Sequence, residues 1–292
     1  MLLILALASA AFYGAADFLG GLASRRASAI AVVFIAQLSG LVALGLMLPL
    51  LPPSTPGHDD WMWGAAAGIT GGIGVALLYR ALAMGSMAII APITAVCAVI
   101  VPVAAAIAFG ERPGTGAVAG IALAILAIVL VSQQSPPASP QKKTVAPWRR
   151  GGGIADTRGA GTALASGVAI GLFFLTLAQA NADAGMWPLV TARAVSSVLF
   201  AILALVARRS IRMPQPVATI AVAGGVIDML ANVLYLLATR HGPLSMVVTL
   251  SSLYPASTVL LARVVLGERI NSVQTAGIVC ALAAVMLIVG TR

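Results

Sequence analysis

Asp228 and Asn232 stand one helical turn apart inside an otherwise apolar stretch of a 292-residue chain. A carboxylate there can exchange a proton or a counter-ion, and it costs about 2.5–3.5 kcal/mol to insert into a bilayer. The stretch 216 to 239 leaves Asp228 twelve residues from one end and eleven from the other, too deep for so short a side chain to reach water. Two readings stand: Asp228 borders a path for a solute or ion, or it is one partner of a structural ion pair. Arg193, in the preceding stretch, is the candidate partner. At about 1.5 Å per residue it lies about 9 Å inside its helix end, with Asp228 about 16 Å from the same surface, so a guanidinium either closes the gap or snorkels outward to water. Asp17, one turn from the end of the first stretch, either joins the path or faces Arg25 and Arg26. With Gln37 and Gln179, two of the few other polar side chains, these residues form the candidate pathway; so few polar groups suit a substrate of modest charge.

The elements that must hold such groups follow from composition. Hydrophobic residues make up 60% of the chain and charged ones 9%, with a mean hydropathy of +1.05, values that no water-facing surface tolerates. A spanning helix needs about 20 apolar residues. Cutting at polar, Pro/Gly and charged clusters gives ten stretches, 1 to 21, 29 to 51, 61 to 83, 87 to 109, 115 to 132, 160 to 180, 187 to 207, 216 to 239, 244 to 266 and 272 to 290. The expected fold is an all-α polytopic membrane protein.

The chain is also doubled. Gly110-Glu111-Arg112 and Gly267-Glu268-Arg269 lie 157 residues apart, and Ser9, Gly14 and Gly85 fall at the same offset on Ser166, Gly171 and Gly242. Each half holds five stretches, an odd number, so the second copy enters the membrane from the other side and the halves form two inverted five-helix repeats. Residues 1–132 and 160–292 are the repeats. Residues 133–159, polar and rich in Pro and Gly, read as the linker. Glu111 and Glu268, each closing a fourth helix beside a basic residue, read as repeat markers and as interfacial anchors or caps.

The net charge of +9 does not imply a nucleic-acid partner, because basic residues gather at stretch ends. Twelve of the 17 lie on the odd-numbered connections and linker, from Arg25 and Arg26 to Arg269, against Arg112, Arg240 and Arg292 on the other side. The positive-inside rule then places both termini outside the cell membrane. Residues 1 to 20 lack the basic segment of a signal peptide and read as the first span. Cys97 and Cys280 fall inside spans as small core residues, and with two histidines the chain offers no metal cluster. No Gly-x-x-x-x-Gly-Lys-Ser/Thr loop is present to bind ATP, and no cofactor is expected. Neither His-Glu-x-x-His nor paired catalytic aspartates occur within the spans.

Small residues recur every four positions at Gly64, Gly68 and Gly72, at Gly167 and Gly171, and at Gly116 and Gly120, spacing that lets helix backbones approach; the last pair also suits a homo-oligomer. Pro92 and Pro102 in the fourth stretch and Pro255 in the ninth remove helix donors, so breaks that gate a path, or static kinks, are expected there.

Ten stretches in two halves, each with its fourth running into Gly-Glu-Arg, resemble the EamA-type transporters of the drug/metabolite transporter superfamily. Tyr13-Gly14 through Phe18, Ala91-Pro92-Ile93, and Tyr254-Pro255 through Arg269 carry the likeness. The resemblance implies a basket of helices around a central cavity lined chiefly by the first, third, fourth, sixth, eighth and ninth spans, with the fifth and tenth peripheral. It departs at Ala98, thirteen residues before Glu111, where the second half has Pro255 before Glu268. The expectation is a secondary transporter that exports small amino-acid-like metabolites or drugs by alternating access, with a small-molecule substrate, a coupling proton or ion, and the lipid bilayer as partners. A membrane scaffold or receptor subunit without transport, or an intramembrane enzyme, are the alternatives.

Overall fold

The computed structural model describes residues 1–51, 53–84, 87–131, 159–208, 210–266 and 272–290. Glu268 and all of the expected linker except Gly159 lie outside them. The described secondary structure is helical: α1 (Leu2–Ser24), α2 (Ala29–Met47), α3 (His58–Met84), α4 (Met87–Ala108), α5 (Thr115–Val131), α6 (Ala160–Ala178), α7 (Trp187–Val206), α8 (Gln215–Thr239), α9 (Leu244–Ser251), α10 (Tyr254–Leu266) and α11 (Ser272–Gly290). In hydrocarbon every backbone donor and acceptor must be satisfied within the segment, which is what a helix does. Among the described residues, α1, α2, α3, α6, α7 and α8 are long and apolar enough to cross a membrane; α4, α5 and α11 are apolar over the shorter runs Ile93–Ala108, Thr115–Leu130 and Thr275–Ala284.

Large apolar side chains such as Ile4, Leu46, Ile73, Ile202 and Met286 are exposed, whereas Ser9, Gln37, Thr94, Arg193 and Asn232 are buried. That distribution suits a lipid-facing shell around a more polar centre. Trp61 and Trp187, at the starts of α3 and α7, stack at one end with ring centroids 5.6 Å apart, the amphipathic rings favoured at a membrane interface.

The helix pairs come in twos. α1 packs along α8 as α3 packs along α6, α2 lies on α8 as α3 lies on α7, and α1 meets α9 and α10 as α6 meets α4, while α5 and α11 pair with each other at the edge. Close approaches repeat as well. A Cβ at Gly68 would overlap the Ala192 carbonyl of α7, and one at Gly225, 157 residues on, would overlap the Ala36 carbonyl of α2. Ser9 Oγ donates to the Ala231 carbonyl at 2.9 Å, and Ser166 Oγ to the Gly74 carbonyl at 2.7 Å; donors and acceptors are again offset by 157.

Proline acts differently in the two fourth-helix positions. The expected breaks at Pro92 and Pro102 do not occur, since α4 runs through both. A proline removes one bond and crowds one carbonyl, which a packed helix can absorb by bending. Gly171 of α6 helps: a Cβ there would sit 3.3 Å from both the Ala98 carbonyl oxygen and Pro102 Cδ, so its absence leaves room for both. In the second half the helix stops at Ser251 and restarts at Tyr254. Pro255 is then the second residue of α10, where a missing N–H loses no helical bond. Gly120, expected on an oligomer face, is buried within the chain.

Candidate functional site

Five side chains from four helices join in one line. Tyr13 of α1 donates its hydroxyl to Asn232 Oδ1 of α8 at 2.9 Å. Asn232 Nδ2 donates to the Asp228 carboxylate at 3.2 Å and to its backbone carbonyl at 2.6 Å. Asp228 Oδ2 accepts from Arg193 Nη2 of α7 in an ion pair, and Arg193 Nη1 donates to Gln37 Oε1 of α2. Arg193 therefore turns inward instead of snorkelling. The reason is electrostatic: with 8% and 18% of their side chains exposed, either charge alone would carry an uncompensated desolvation cost.

The line forms one side of a partly open space whose volume of about 590 Å³ includes space open to solvent. Asp17 lines the same space. It does not pair with Arg25 or Arg26, which are exposed, because it shares a helix face with Tyr13, four residues earlier. Gly71, Val75, Ile170, Phe173 and Phe174 line the space as well. Gly71 matters by size, since a Cβ there would stand 2.7 Å from the Phe173 ring. Phe174 touches Tyr13 edge-on at 5.7 Å and packs on Tyr235 at 4.7 Å, while the Tyr235 hydroxyl donates to the Phe174 carbonyl at 2.8 Å. Tyr254, at the gap between α9 and α10, completes the lining. Among the described residues no group of His, Cys, Asp and Glu could hold a metal.

Two expected site residues stand elsewhere. Gln179 caps the C-terminus of α6 and is exposed; the end of an apolar stretch lets a polar side chain reach water. Pro102 packs against α6 rather than the cavity lining. Glu111 has a cross-half role, with Oε2 accepting the backbone N–H of Ser245 at 3.1 Å in the first turn of α9, where an acidic group offsets the helix dipole. The aromatic lining escaped the sequence reading, although the i, i+4 spacing of Tyr13 and Asp17 matches that of Asp228 and Asn232.

One end of the bundle is tied across loops. Asp60, buried at the start of α3, accepts the Asn181 backbone N–H at 2.8 Å and the Gly57 N–H at 2.8 Å. Arg240, capping α8, donates Nη2 to the Gly185 carbonyl at 2.5 Å. Burial lowers its guanidinium pKa and the nearby Asp183 opposes that shift.

A solved structure described as "Crystal structure of protein" superposes with a TM-score of 0.67 at 16% identity, covering 96% of this chain and 95% of that one; at that identity the likeness is one of fold. No curated protein matches the chain. The model of the EamA-like transporter family matches residues 1–133 and again 157–290. Read with an apolar helical shell around a cavity holding a buried ion pair, the match shows that this multi-pass membrane chain belongs to the EamA-like transporter family, within the drug/metabolite transporter superfamily.

Proposed function

We infer that the chain is a secondary transporter that exports small metabolites or drugs across the cell membrane by alternating access. Residues 1–132 and 160–292 act as two inverted five-helix repeats joined by 133–159, with both termini outside. The odd number of apolar stretches per half, the one-sided basic residues and the paired helix contacts support that arrangement. The observation that carries the reading is the line from Tyr13 to Gln37, because it crosses the halves twice. Tyr13–Asn232 and Gln37–Arg193 join residues of different halves, whereas Arg193–Asp228 lies within the second. Rocking one half against the other exchanges the cross-half bonds first. In the other state Asp228 trades part of its pairing for a proton or ion, and the gap before Pro255 absorbs the bend.

Small molecules are the substrate class, and no cofactor or catalytic step is part of the proposal. The test compares the medium of cells overproducing the wild type, the Asp228→Asn variant or neither. A compound that accumulates outside only with the wild type is the expected result. Equal export by both proteins would make Asp228 structural, and an unchanged medium would favour import or a non-transporting role. At normal expression, an Asp228→Asn rate and pH dependence equal to those of the wild type would end the coupling role.

A further inference from the structure

Among the described residues the cavity lining carries two carboxylates, Asp17 and Asp228, and one cation, Arg193. Among the described residues Arg193 is the one basic side chain in the lining, and both of its terminal nitrogens donate, one to Asp228 and one to Gln37. Asp17 lines the same space, and among the described residues it has no hydrogen-bond or ion-pair partner. A lone carboxylate in a membrane interior is costly unless it takes up a proton or a positive group joins it. A second unspent group lies close by. The Tyr254 hydroxyl, on a residue only 4% exposed in the cavity wall, also lacks a hydrogen-bond partner among the described residues. Its helix start rests on α1 between Tyr13 and Asp17, since Thr258 Oγ1 donates to both the Gly14 and the Tyr254 carbonyls at 3.1 Å.

Part of the same lining is aromatic. Tyr13, Phe173 and Phe174 form a contiguous cluster, with Phe173 and Phe174 ring centroids 5.5 Å apart. Aromatic faces attract organic cations most strongly where water is excluded. An anion, or the carboxylate end of a zwitterion, would meet Asp17 and Asp228 with no uncommitted cation among the described residues to receive it.

We propose that the substrate of this cavity is an organic monocation with an apolar or aromatic body, a protonated amine without an acid group, and that Asp17 is the residue that selects it. The ammonium group sits against the Asp17 carboxylate and the Tyr254 hydroxyl, and its body lies on the Phe173–Phe174 wall. This rests on the transport reading and narrows it, because it separates amines from amino acids.

Phenethylammonium and phenylalanine differ only by a carboxylate, which makes them the probes. Binding of each to the purified full chain in lipid nanodiscs is measured by titration calorimetry. Phenethylammonium is expected to bind at least tenfold more tightly than phenylalanine, Asp17→Asn to lose most of that preference, and Asp17→Glu to keep part of it. The wild-type comparison alone decides the matter if a variant does not fold. Equal or tighter binding of phenylalanine, absence of binding by phenethylammonium, or an unchanged preference in folded Asp17→Asn overturns the assignment. Flux of phenethylammonium into liposomes separates the two readings. An amine bound at Asp17 but not carried supports the site and ends the transport reading. A compound exported from cells that phenethylammonium does not displace upholds transport and overturns the amine site.

Discussion

The α1–α8 pair and the α3–α6 pair share a pattern of contacts and differ in chemistry. Each is a long antiparallel contact fastened by a serine hydroxyl to the facing backbone, Ser9 to Ala231 in one and Ser166 to Gly74 in the other. Both members of several pairs 157 residues apart line the cavity: Tyr13 and Ile170, Asp17 and Phe174, Gly71 and Asp228, Val75 and Asn232. The first pair of helices carries every polar member of those sets and the second carries the apolar ones. The two pairs are thus alike at residues that face a neighbouring helix and differ at residues that line the cavity, polar in one pair and apolar in the other. Such a divided cavity can hold a molecule by its charged end and its apolar body at once.

The largest effect should come from breaking the polar wall. Arg193→Ala leaves Asp228 buried without its counter-charge and should cost about 3–5 kcal/mol, with much of the loss recovered in the double variant Arg193→Leu/Asp228→Leu; equilibrium unfolding in mixed micelles reads both. If the double variant is no more stable than the single one, the ion pair is not what the polar wall depends on for stability. Next come the close approaches, where both halves should behave alike. Gly68→Val and Gly225→Val each push a helix off a facing carbonyl and should each cost about 1–3 kcal/mol. A large cost at one and none at the other would show that the two crossings are not equivalent.

The serine bonds sharpen the comparison further. Ser9→Ala and Ser166→Ala should each lose about 1 kcal/mol, equally, because the acceptor carbonyls keep their helical bonds. Unequal losses would mean that one of the two pairs relies on its serine more than the other. Smallest is Glu111→Gln, which keeps an acceptor for the Ser245 N–H but removes the charge at the start of α9, a change of about 0.3–1 kcal/mol visible as faster amide exchange over Leu244–Ser251. The fourth helix of the first half should exchange as before.

Much of this was open to reading before any coordinates. The apolar stretches mark where most helices run because hydropathy is a sum over neighbours in the chain. Asp228 stood out because a charge amid twenty apolar residues has no local explanation, and Arg193 was within reach of it by helix rise alone. The prolines were harder. Pro102 and Pro255 look alike in sequence, yet one is carried within a helix beside Gly171 and the other begins a new helix. Gln179 looked like a pathway residue by polarity, but it sits at a helix end where water is available. Asp17 was visible, whereas its lack of a partner among the described residues depends on what its neighbours across the bundle do.

The chain alone thus determined its solvent, its doubling and the depth of its ionisable groups, all properties of position along the sequence. Tertiary structure decided direction. These helices are apolar on nearly every side, so no stripe in the sequence tells cavity from lipid, and packing alone brings Tyr13, Asp17, Asp228 and Tyr254 to one space with Phe174. Which carboxylate meets a cation and which meets none among the described residues follows from that rotation of each helix about its own axis.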